Sequence, residues 1–572
     1  MNILVFVKQI PEISKIQFDP ATNRIKRDQV PLIINPFDKR AVEEGIRQKE
    51  KHGGLVTVVT MGPPSASEIL NSSLRMGADR AILISDPVFA GADTWVTAKV
   101  LSSVVLKLNP DVVLLGKYSL DGETSQIPPE VAVLSGYPFK TSVSKLDFVD
   151  DSSAIIEQEL ESGFATYRMK IPFLISVSEK INRARFVSPS VPDMSSRIEK
   201  WSALDAGASV KGSDSPTLVE ATERVESFRT VKMLSDIQDV ADLVRKKVAD
   251  EPVHPVNSKG GVPAPDLSKH AVVVSYNDAR SAFEIAGKLS DLGLKHSFSV
   301  VVLGNDEKAK IQGMRCNRYI KLNNASIKGF SEYLVSYIRE RKPVYVVFSS
   351  TVEGREISSY VAASLSLGLT ADCINLDVQD GKLIQFKPAF GGGMVARITS
   401  KSSPAMASVR QGIFQVSSGQ HDMPYEEVDL SSSFPEAPLS REELSSEFRP
   451  LRDAKTVIGI GKGLVKKENV AQVRELADVL NASVGGSRPI VDLNWIPRQQ
   501  QIGLTGYSIS PSLYIAVGVS GHDNHVVGIR YARTVIAVNK DPAAQIFKYA
   551  DYGYIGDALQ FVEDLTRLLK GS

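Results

Sequence analysis

The sequence predicts an α/β protein made of two related parallel-sheet domains followed by a third, Rossmann-like domain. Three observations carry this. Short β-branched runs such as Ile3–Val7 and Val112–Leu115 alternate with helix-length amphipathic segments such as Asp38–Glu50 and Ala279–Leu292, the pattern of parallel strands joined by crossover helices. The set of runs occurs twice along the chain. In the last part of the chain, each apolar run adjoins a cluster of glycines and polar side chains.

The repeat can be followed run by run. Ile3–Val7 has its counterpart in Ala271–Ser275, Val56–Gly62 in Ser299–Gly304, Asp79–Leu83 in Asn317–Lys321, and Pro110–Gly116 in Pro343–Ser349. Two such halves imply two related domains packed about a pseudo-twofold axis. Between them, residues 251–267 are rich in Pro and Gly and lack hydrophobic periodicity, the composition of a linker. A polar stretch at Leu430–Glu436 reads as a hinge. The expected division is therefore 1–250, a linker 251–267, 268–435 and 436–572.

Composition excludes several classes. Over 572 residues, 67 basic and 66 acidic side chains leave a net charge of +1, which argues against a dedicated nucleic-acid binder. Cys316 and Cys373 are the only cysteines, too few for a disulfide framework or a Cys-ligated cluster. No uninterrupted apolar run approaches membrane-spanning length. Met1–Lys8 reads as a first strand and not as a signal peptide, so the expected location is the cytoplasm.

The most specific signal is C-terminal. In order come Gly485-Gly486-Ser487-Arg488-Pro489, Gln501–Gly506, Gly518–His525, Asn539–Pro542 and Ala550–Gly553, interleaved with the apolar runs Leu513–Val517 and Thr534–Val538. Glycines at strand ends let backbone N–H groups approach a phosphate, and the polar side chains add donors. Five such clusters on one sheet edge would cradle a dinucleotide. This series resembles the FAD-binding domain of the electron transfer flavoprotein alpha subunit. Several motifs matching in order carry more weight than one glycine motif would.

The resemblance covers nearly the whole chain. Residues 268–572 are similar to the alpha subunit, through Glu353–Glu356, Gly368–Cys373, Ala389–Gly393 and Met406–Arg410. Residues 1–250 are similar to the beta subunit, through Val7–Pro11, Asn35–Asp38, Met76–Arg80 and Asp121–Gln126. The chain thus resembles a beta–alpha fusion, which replaces subunit association by an intramolecular contact at high effective concentration. It implies two nucleotide-binding-like domains and an FAD-binding domain.

By that resemblance, FAD is the redox group and no side chain has a catalytic or metal-binding role, because the chemistry is the cofactor's. The implied FAD-binding residues are Lys462, Ser487, Arg488, Gln501, Ile502, Gly503, Leu504, Thr505, Ser520, Gly521, His522, Asp523, Asn524, His525, Asn539, Asp557 and Ala558. His525 is expected as a positive charge beside the pyrimidine side of the ring, Arg488 as a guanidinium over it, and Thr505 as a hydroxyl near N5. Residues 520–524 and Asn539 would serve the pyrophosphate and ribitol, and Asp557 and Ala558 the adenine end. Alone, His525 would read as a loop histidine bonded to backbone, Arg488 as a surface ion pair, and Asp557 as a carboxylate at a helix N-terminus. Several positions depart from the family pattern. Lys462 stands where arginine is usual, which keeps the charge and loses the fork. Leu504 replaces a glutamine, and His522-Asp523-Asn524 replace Ala-Ile-Gln.

The beta-like half is expected to hold a second nucleotide, FAD or AMP, on Phe6, Asn35, Pro36, Phe37, Asp38, Met61, Gly116, Asp121, Gly122, Glu123, Thr124, Ser125, Gln126 and Ile127. Met61–Pro64 and Ser85–Thr94 resemble the electron-bifurcating branch, whose members hold a second FAD there. Ile127-Pro128-Pro129 departs from the Val-Gly-Pro of the family. Asp93 or Thr94 also reads as a helix cap. In the segment Ile181–Pro192, Val191 occupies the position of the family's docking anchor, usually a leucine, which buries more area. The implied function is a carrier. It would take electrons from flavin dehydrogenases such as acyl-CoA dehydrogenases and pass them to a quinone-reducing or ferredoxin-linked acceptor, or bifurcate electrons from NADH. A non-redox adenine-nucleotide-binding regulator is the alternative, and it would have no need of residues 485–558.

Overall fold

The computed structural model describes residues 1–12, 30–161, 163–224, 229–249, 268–390, 392–414, 416, 423–430, 438–443, 451, 454–503, 506–507 and 509–571. The linker 251–267, Leu504, Thr505 and residues 431–436 of the expected hinge lie outside the described residues.

The first sheet runs, in spatial order, Ile198–Trp201, Arg80–Ile84, Leu55–Met61, Asn2–Phe6, Val112–Gly116, Phe173–Val177, Phe139–Asp150, Ser153–Glu159, Gly163–Lys170 and Ser440–Glu443. It is parallel from its first strand through Phe139–Asp150 and antiparallel beyond. The central strands Val112–Gly116 and Phe173–Val177 are buried along their whole length and largely aliphatic, as strands covered on both faces must be.

The second sheet is parallel throughout, in the order Leu369–Cys373, Ala405–Val409, Tyr345–Ser349, His270–Ser275, Ser299–Gly304, Arg318–Asn323, Tyr425–Asp429. Strand for strand this is the order of the parallel part of the first sheet, so the repeat seen in the sequence is a repeat of topology. A four-stranded antiparallel sheet, Thr217–Arg224, Met394–Ser400, Lys382–Ala389, Asn375–Gln379, adjoins it.

The third sheet is also parallel, with the order Lys232–Leu234, Tyr552–Ile555, Thr534–Asn539, Leu513–Val517, Thr456–Ile460, Ser483–Gly486. The chain fills one side of Thr456–Ile460 first and then crosses to the other, so the order reverses between Thr456–Ile460 and Leu513–Val517.

Segments are exchanged between these units. Thr217–Arg224 pairs with Met394–Ser400 of the second half. Lys232–Leu234 forms the edge of the third sheet, and helix Ile237–Ala249 packs on helix Ala558–Lys570. Conversely Ser440–Glu443, beyond the expected boundary at 436, pairs with Gly163–Thr166 of the first sheet. Helix Ile237–Ala249 is amphipathic, and its buried Val240, Ala241 and Val244 belong to the core of the third unit.

Candidate functional site

Two regions gather the expected residues. The first is the carboxyl edge of the third sheet. Gly461-Lys462-Gly463 follows Ile460, Ser487-Arg488 follows Gly486, Gly518–Gly521 follows Val517, Asn539 ends its strand, and Gly556-Asp557 follows Ile555. In a parallel sheet all these points lie on one edge, and the reversal of strand order opens a crevice there. Two glycine loops meet in that crevice. A Cβ on Gly463 would lie 2.6 Å from the Gly518 Cα, and Gly518 has φ +62°, so neither position accommodates a side chain.

The individual side chains divide into exposed donors and internal struts. Lys462, Arg488, Ser520, His522 and Asn524 are exposed. Arg488 is about 60% exposed and pairs with Asp492 at 3.3 Å, one turn along its own short helix, so the surface ion pair considered from sequence is present. Ser487 sits at the N-cap of that helix, and Asp523 opens the short helix Asp523–Val526. Gln501 and Ile502 are buried, and the Ile502 N–H donates to the Gly486 carbonyl at 2.9 Å, drawing this loop to the strand end. Gly503 has φ +130°. The Asn539 amide donates to the Val519 carbonyl at 2.9 Å. The Asp557 carboxylate accepts from the N–H groups of Leu559 and Gln560 at 2.9 and 3.1 Å, capping the last helix, and Ala558 is in the core.

His525 is only 5% exposed. Its Nδ1 lies 3.2 Å from the Ile502 carbonyl and its Nε2 2.8 Å from the Tyr514 hydroxyl. A carbonyl only accepts, so Nδ1 carries the proton and Nε2 accepts from Tyr514. Burial pushes the imidazole down to about 4. In this arrangement His525 is therefore neutral, and of the residues expected here Lys462 and Arg488 supply the positive charge. The buried tyrosine was missed in the sequence, although a tyrosine inside the apolar run Leu513–Val517 signals a hydroxyl that needs an internal partner.

A pH prediction follows. An unfolded imidazole titrates near 6.5 and folded His525 near 4. Between these values the unfolded chain binds the extra proton, so the contribution is full above about pH 6.5 and is lost as pH falls towards 4. The loss is about 3 kcal/mol. His525→Gln in flavin-free protein is expected to flatten this acid slope. The check is the difference in unfolding free energy between wild type and variant from pH 4 to 7. A pH-independent difference would contradict a buried neutral histidine.

The second region is a solvent-open cleft of about 1520 Å³ at the carboxyl edge of the first sheet. Of the residues expected to hold a second nucleotide, Phe6, Asp38, Met61, Gly116, Gly122, Thr124, Ser125, Gln126 and Ile127 line it. Asp38 fastens two strand ends together, its carboxylate accepting from the N–H groups of Lys8 at 2.8 Å and Gly116 at 3.0 Å. Burial pushes its carboxyl up to about 7. The others stand behind the wall. Asn35 holds the loop after Gly116 through the Tyr118 carbonyl (2.9 Å) and the Leu120 N–H (3.3 Å). Pro36 starts helix Pro36–His52, Phe37 packs on Tyr118, and Asp121 pairs with Lys8 at 2.7 Å. Glu123 lines a different cleft.

That other cleft, about 1460 Å³, lies where the three units meet. Tyr118 and Ser125 line both clefts, so the loop between Gly116 and Ile127 is their shared wall. Its floor carries Arg355, Asp372 and Arg410. Asp372 accepts from Arg410 Nε at 3.0 Å and pairs with Arg355 at 3.3 Å, and Arg410 lies 5.0 Å over the ring of Tyr531 from the third unit. Sequence reasoning did not assign Arg355, Asp372 and Arg410, which become neighbours only once their helix and strands have packed, nor Thr97, Thr370 and Lys387 in the nucleotide cleft, the last two of which reach it from the other half.

A family model described as the electron transfer flavoprotein domain matches residues 22–206 and again 277–433, and one described as the electron transfer flavoprotein FAD-binding domain matches 450–530. The chain belongs to the electron transfer flavoprotein family. It is 43% identical over 188 residues to the electron transfer flavoprotein subunit beta of Thermoanaerobacterium thermosaccharolyticum, covering 33% of this chain and 72% of that protein. It is 34% identical over 256 residues to the subunit alpha of the same organism, covering 44% of this chain and 78% of that protein. Protein FixA of Azorhizobium caulinodans is 40% identical over 216 residues, 36% of this chain and 77% of that protein. Beta-like and alpha-like parts are thus joined in one electron transfer flavoprotein chain with an FAD-binding domain. The donor set at the third sheet's carboxyl edge, two exposed cations with serine hydroxyls and asparagine amides around strand ends, fits a dinucleotide. No helix among the described residues is long and apolar enough to cross a membrane.

Proposed function

We propose that the chain is an electron carrier whose FAD sits on the carboxyl edge of the third sheet. It takes electrons from a flavin dehydrogenase of the acyl-CoA dehydrogenase kind and delivers them to a quinone-reducing or ferredoxin-linked acceptor. The observation that carries this reading is the convergence of Gly461–Gly463, Ser487-Arg488, Gly518–Asn524 and Asn539 at the point where strand order reverses. Bound FAD would supply the one- and two-electron chemistry. The chain's own part is to hold it: Lys462 and Arg488 as cations, Ser487, Ser520 and Asn524 as hydrogen-bonding groups, and neutral His525 as a fixed dipole braced by Tyr514. The test is the visible spectrum of purified protein with a count of FAD and AMP released on denaturation. A colourless preparation that FAD cannot reconstitute overturns the reading.

In the same reading the first-sheet cleft holds the second nucleotide, FAD or AMP, a second FAD being the form that bifurcation from NADH would use. Support comes from its mainly apolar lining with a few polar groups, at the ends of three adjacent parallel strands. The third unit would swing to serve different partners. The body that moves would be 451–571 together with 229–249, leaving Ser440–Glu443 behind on the first sheet. Paired spin labels on the third unit and the first half are expected to give a broad or two-peaked distance distribution. One narrow peak, unchanged on reduction or on adding a partner, contradicts the swing.

In the same reading a partner would dock on the segment Ile181–Pro192, with Val191 as its anchor. Val191 is half-buried, its carbonyl accepting from Arg75 Nε at 3.1 Å, while Phe186 is 86% exposed. Val191→Asp and Phe186→Ala are expected to slow electron transfer from the cognate dehydrogenase about tenfold or more, with flavin content and melting temperature unchanged. Unaltered transfer rates in both variants would make the segment a connector.

A further inference from the structure

The nucleotide cleft of the first half is closed on its far side by the second half. Leu369, Thr370 and Ala371 from the end strand of its parallel sheet, and Lys387 and Ile398 from two adjacent strands of the antiparallel sheet, all line the cleft. Among the described residues, three polar groups there lack matching partners. Lys387 is 6% exposed, and its Nζ makes one long contact, 3.4 Å, to the Pro388 carbonyl. Among the described residues no carboxylate comes within the 4.0 Å of an ion pair with it. The acidic group with most influence on it, Asp372, is already engaged by Arg355 and Arg410. Thr370 Oγ1 is buried without a hydrogen-bond partner. So is Gln126 Oε1, although its Nε2 donates to the Leu369 carbonyl at 2.9 Å across the junction.

Each of these groups is costly as it stands. A desolvated ammonium needs a counter-ion, and a buried hydroxyl or amide oxygen needs a hydrogen bond. Burial accordingly pulls the lysine below its ordinary range. A single ligand with an anionic group, a hydroxyl and an N–H or second hydroxyl would match all three. Resting on the reading that this cleft holds a nucleotide, we propose that the nucleotide is bound by both halves of the chain, with Lys387 as the cation for its phosphate and Thr370 and Gln126 for its hydroxyl or N–H groups. The alpha-like half then completes the beta-like half's site, and ligand affinity depends on the junction between them.

The test uses the full chain stripped of nucleotide and titrated calorimetrically with AMP, with FAD and with adenosine. Lys387→Gln is expected to weaken AMP and FAD binding at this site about 10- to 100-fold and adenosine binding far less, since adenosine lacks the phosphate. Lys387→Arg should retain most of the affinity, and Thr370→Val should weaken AMP and adenosine alike. Removing a buried cation without a counter-ion should not lower the melting temperature of the stripped protein. Thr97→Trp, which fills the cleft from the first half, separates the two readings. If it leaves AMP and FAD binding unchanged, the cleft is not the nucleotide site and the underlying reading fails. If Thr97→Trp abolishes binding there while Lys387→Gln and Thr370→Val bind like wild type, the cleft stands and the two-half site is overturned.

Discussion

Asp372→Ala is expected to cost about 3–5 kcal/mol of stability. The carboxylate is buried where the three units meet and is shared by two largely buried guanidinium groups, Arg355 and Arg410. Burial alone would raise its carboxyl, but Arg410 and Arg355 hold it well below the ordinary carboxylate range. Its N–H also donates to Ser408 Oγ at 3.0 Å. Removing the carboxylate leaves two buried positive charges without their common partner, which is worse than never having buried the group. Because Arg410 also rests on the ring of Tyr531, the contact between the third unit and its base should loosen as well. Denaturant unfolding followed by circular dichroism, alongside flavin fluorescence, checks both effects. Asp372→Asn should lose most of the same stability, because it keeps the shape and not the charge. A cost under about 1 kcal/mol would place the carboxylate among exposed pairs of little worth.

The second large effect is expected at Glu356. This fully buried carboxylate belongs to helix Val352–Leu365 of the second half and reaches into the first sheet. One oxygen accepts from the Thr141 N–H at 2.8 Å, the Thr141 hydroxyl at 2.7 Å and the Gln158 amide at 2.7 Å, and the other lies 3.9 Å from Lys140 Nζ. Glu356→Ala strips these donors of their acceptor at a dry junction, at a cost of about 3–5 kcal/mol, and Glu356→Gln should cost less because the accepting oxygen remains. A protease site placed within 251–267 gives the readout. After cleavage, wild-type halves should stay together on gel filtration and Glu356→Ala halves should separate. Halves of the variant that remain associated at micromolar concentration would show that apolar packing alone holds the junction.

Both residues lie in segments whose local structure is readable from sequence and whose partners are not. Runs such as Ala271–Ser275 and Val112–Leu115 announce buried parallel strands, because only β-branched and aliphatic side chains suit a sheet covered on both faces. The order of the two halves could be matched run by run for the same reason. The glycine clusters at Gly485-Gly486 and after Val517 were legible because a strand end that must come close to another backbone tolerates little else. By contrast, Thr217–Arg224, Lys232–Leu234 and Ser440–Glu443 each pair in a sheet of another unit, and period-2 alternation does not name the partner. Lys387 shows the same limit at a site. In Lys382–Ala389 nothing in the local sequence marks Lys387 as buried, yet it is.

The sequence by itself determined the fold class, the repeat, the family and the cluster of residues on the third sheet's carboxyl edge. Fold class and repeat follow from composition and short-range spacing, which fix backbone conformation and strand burial locally, whereas the family and the residues on that edge came from the resemblance that the chain's motifs carry. Only the tertiary structure decided that His525 is a neutral strut on Tyr514, that the three units exchange strands, and that the first half's cleft is walled by Thr370 and Lys387 of the second. Those outcomes depend on desolvation and on hydrogen bonds between residues tens to hundreds of positions apart, and such pairings exist only once the units have packed.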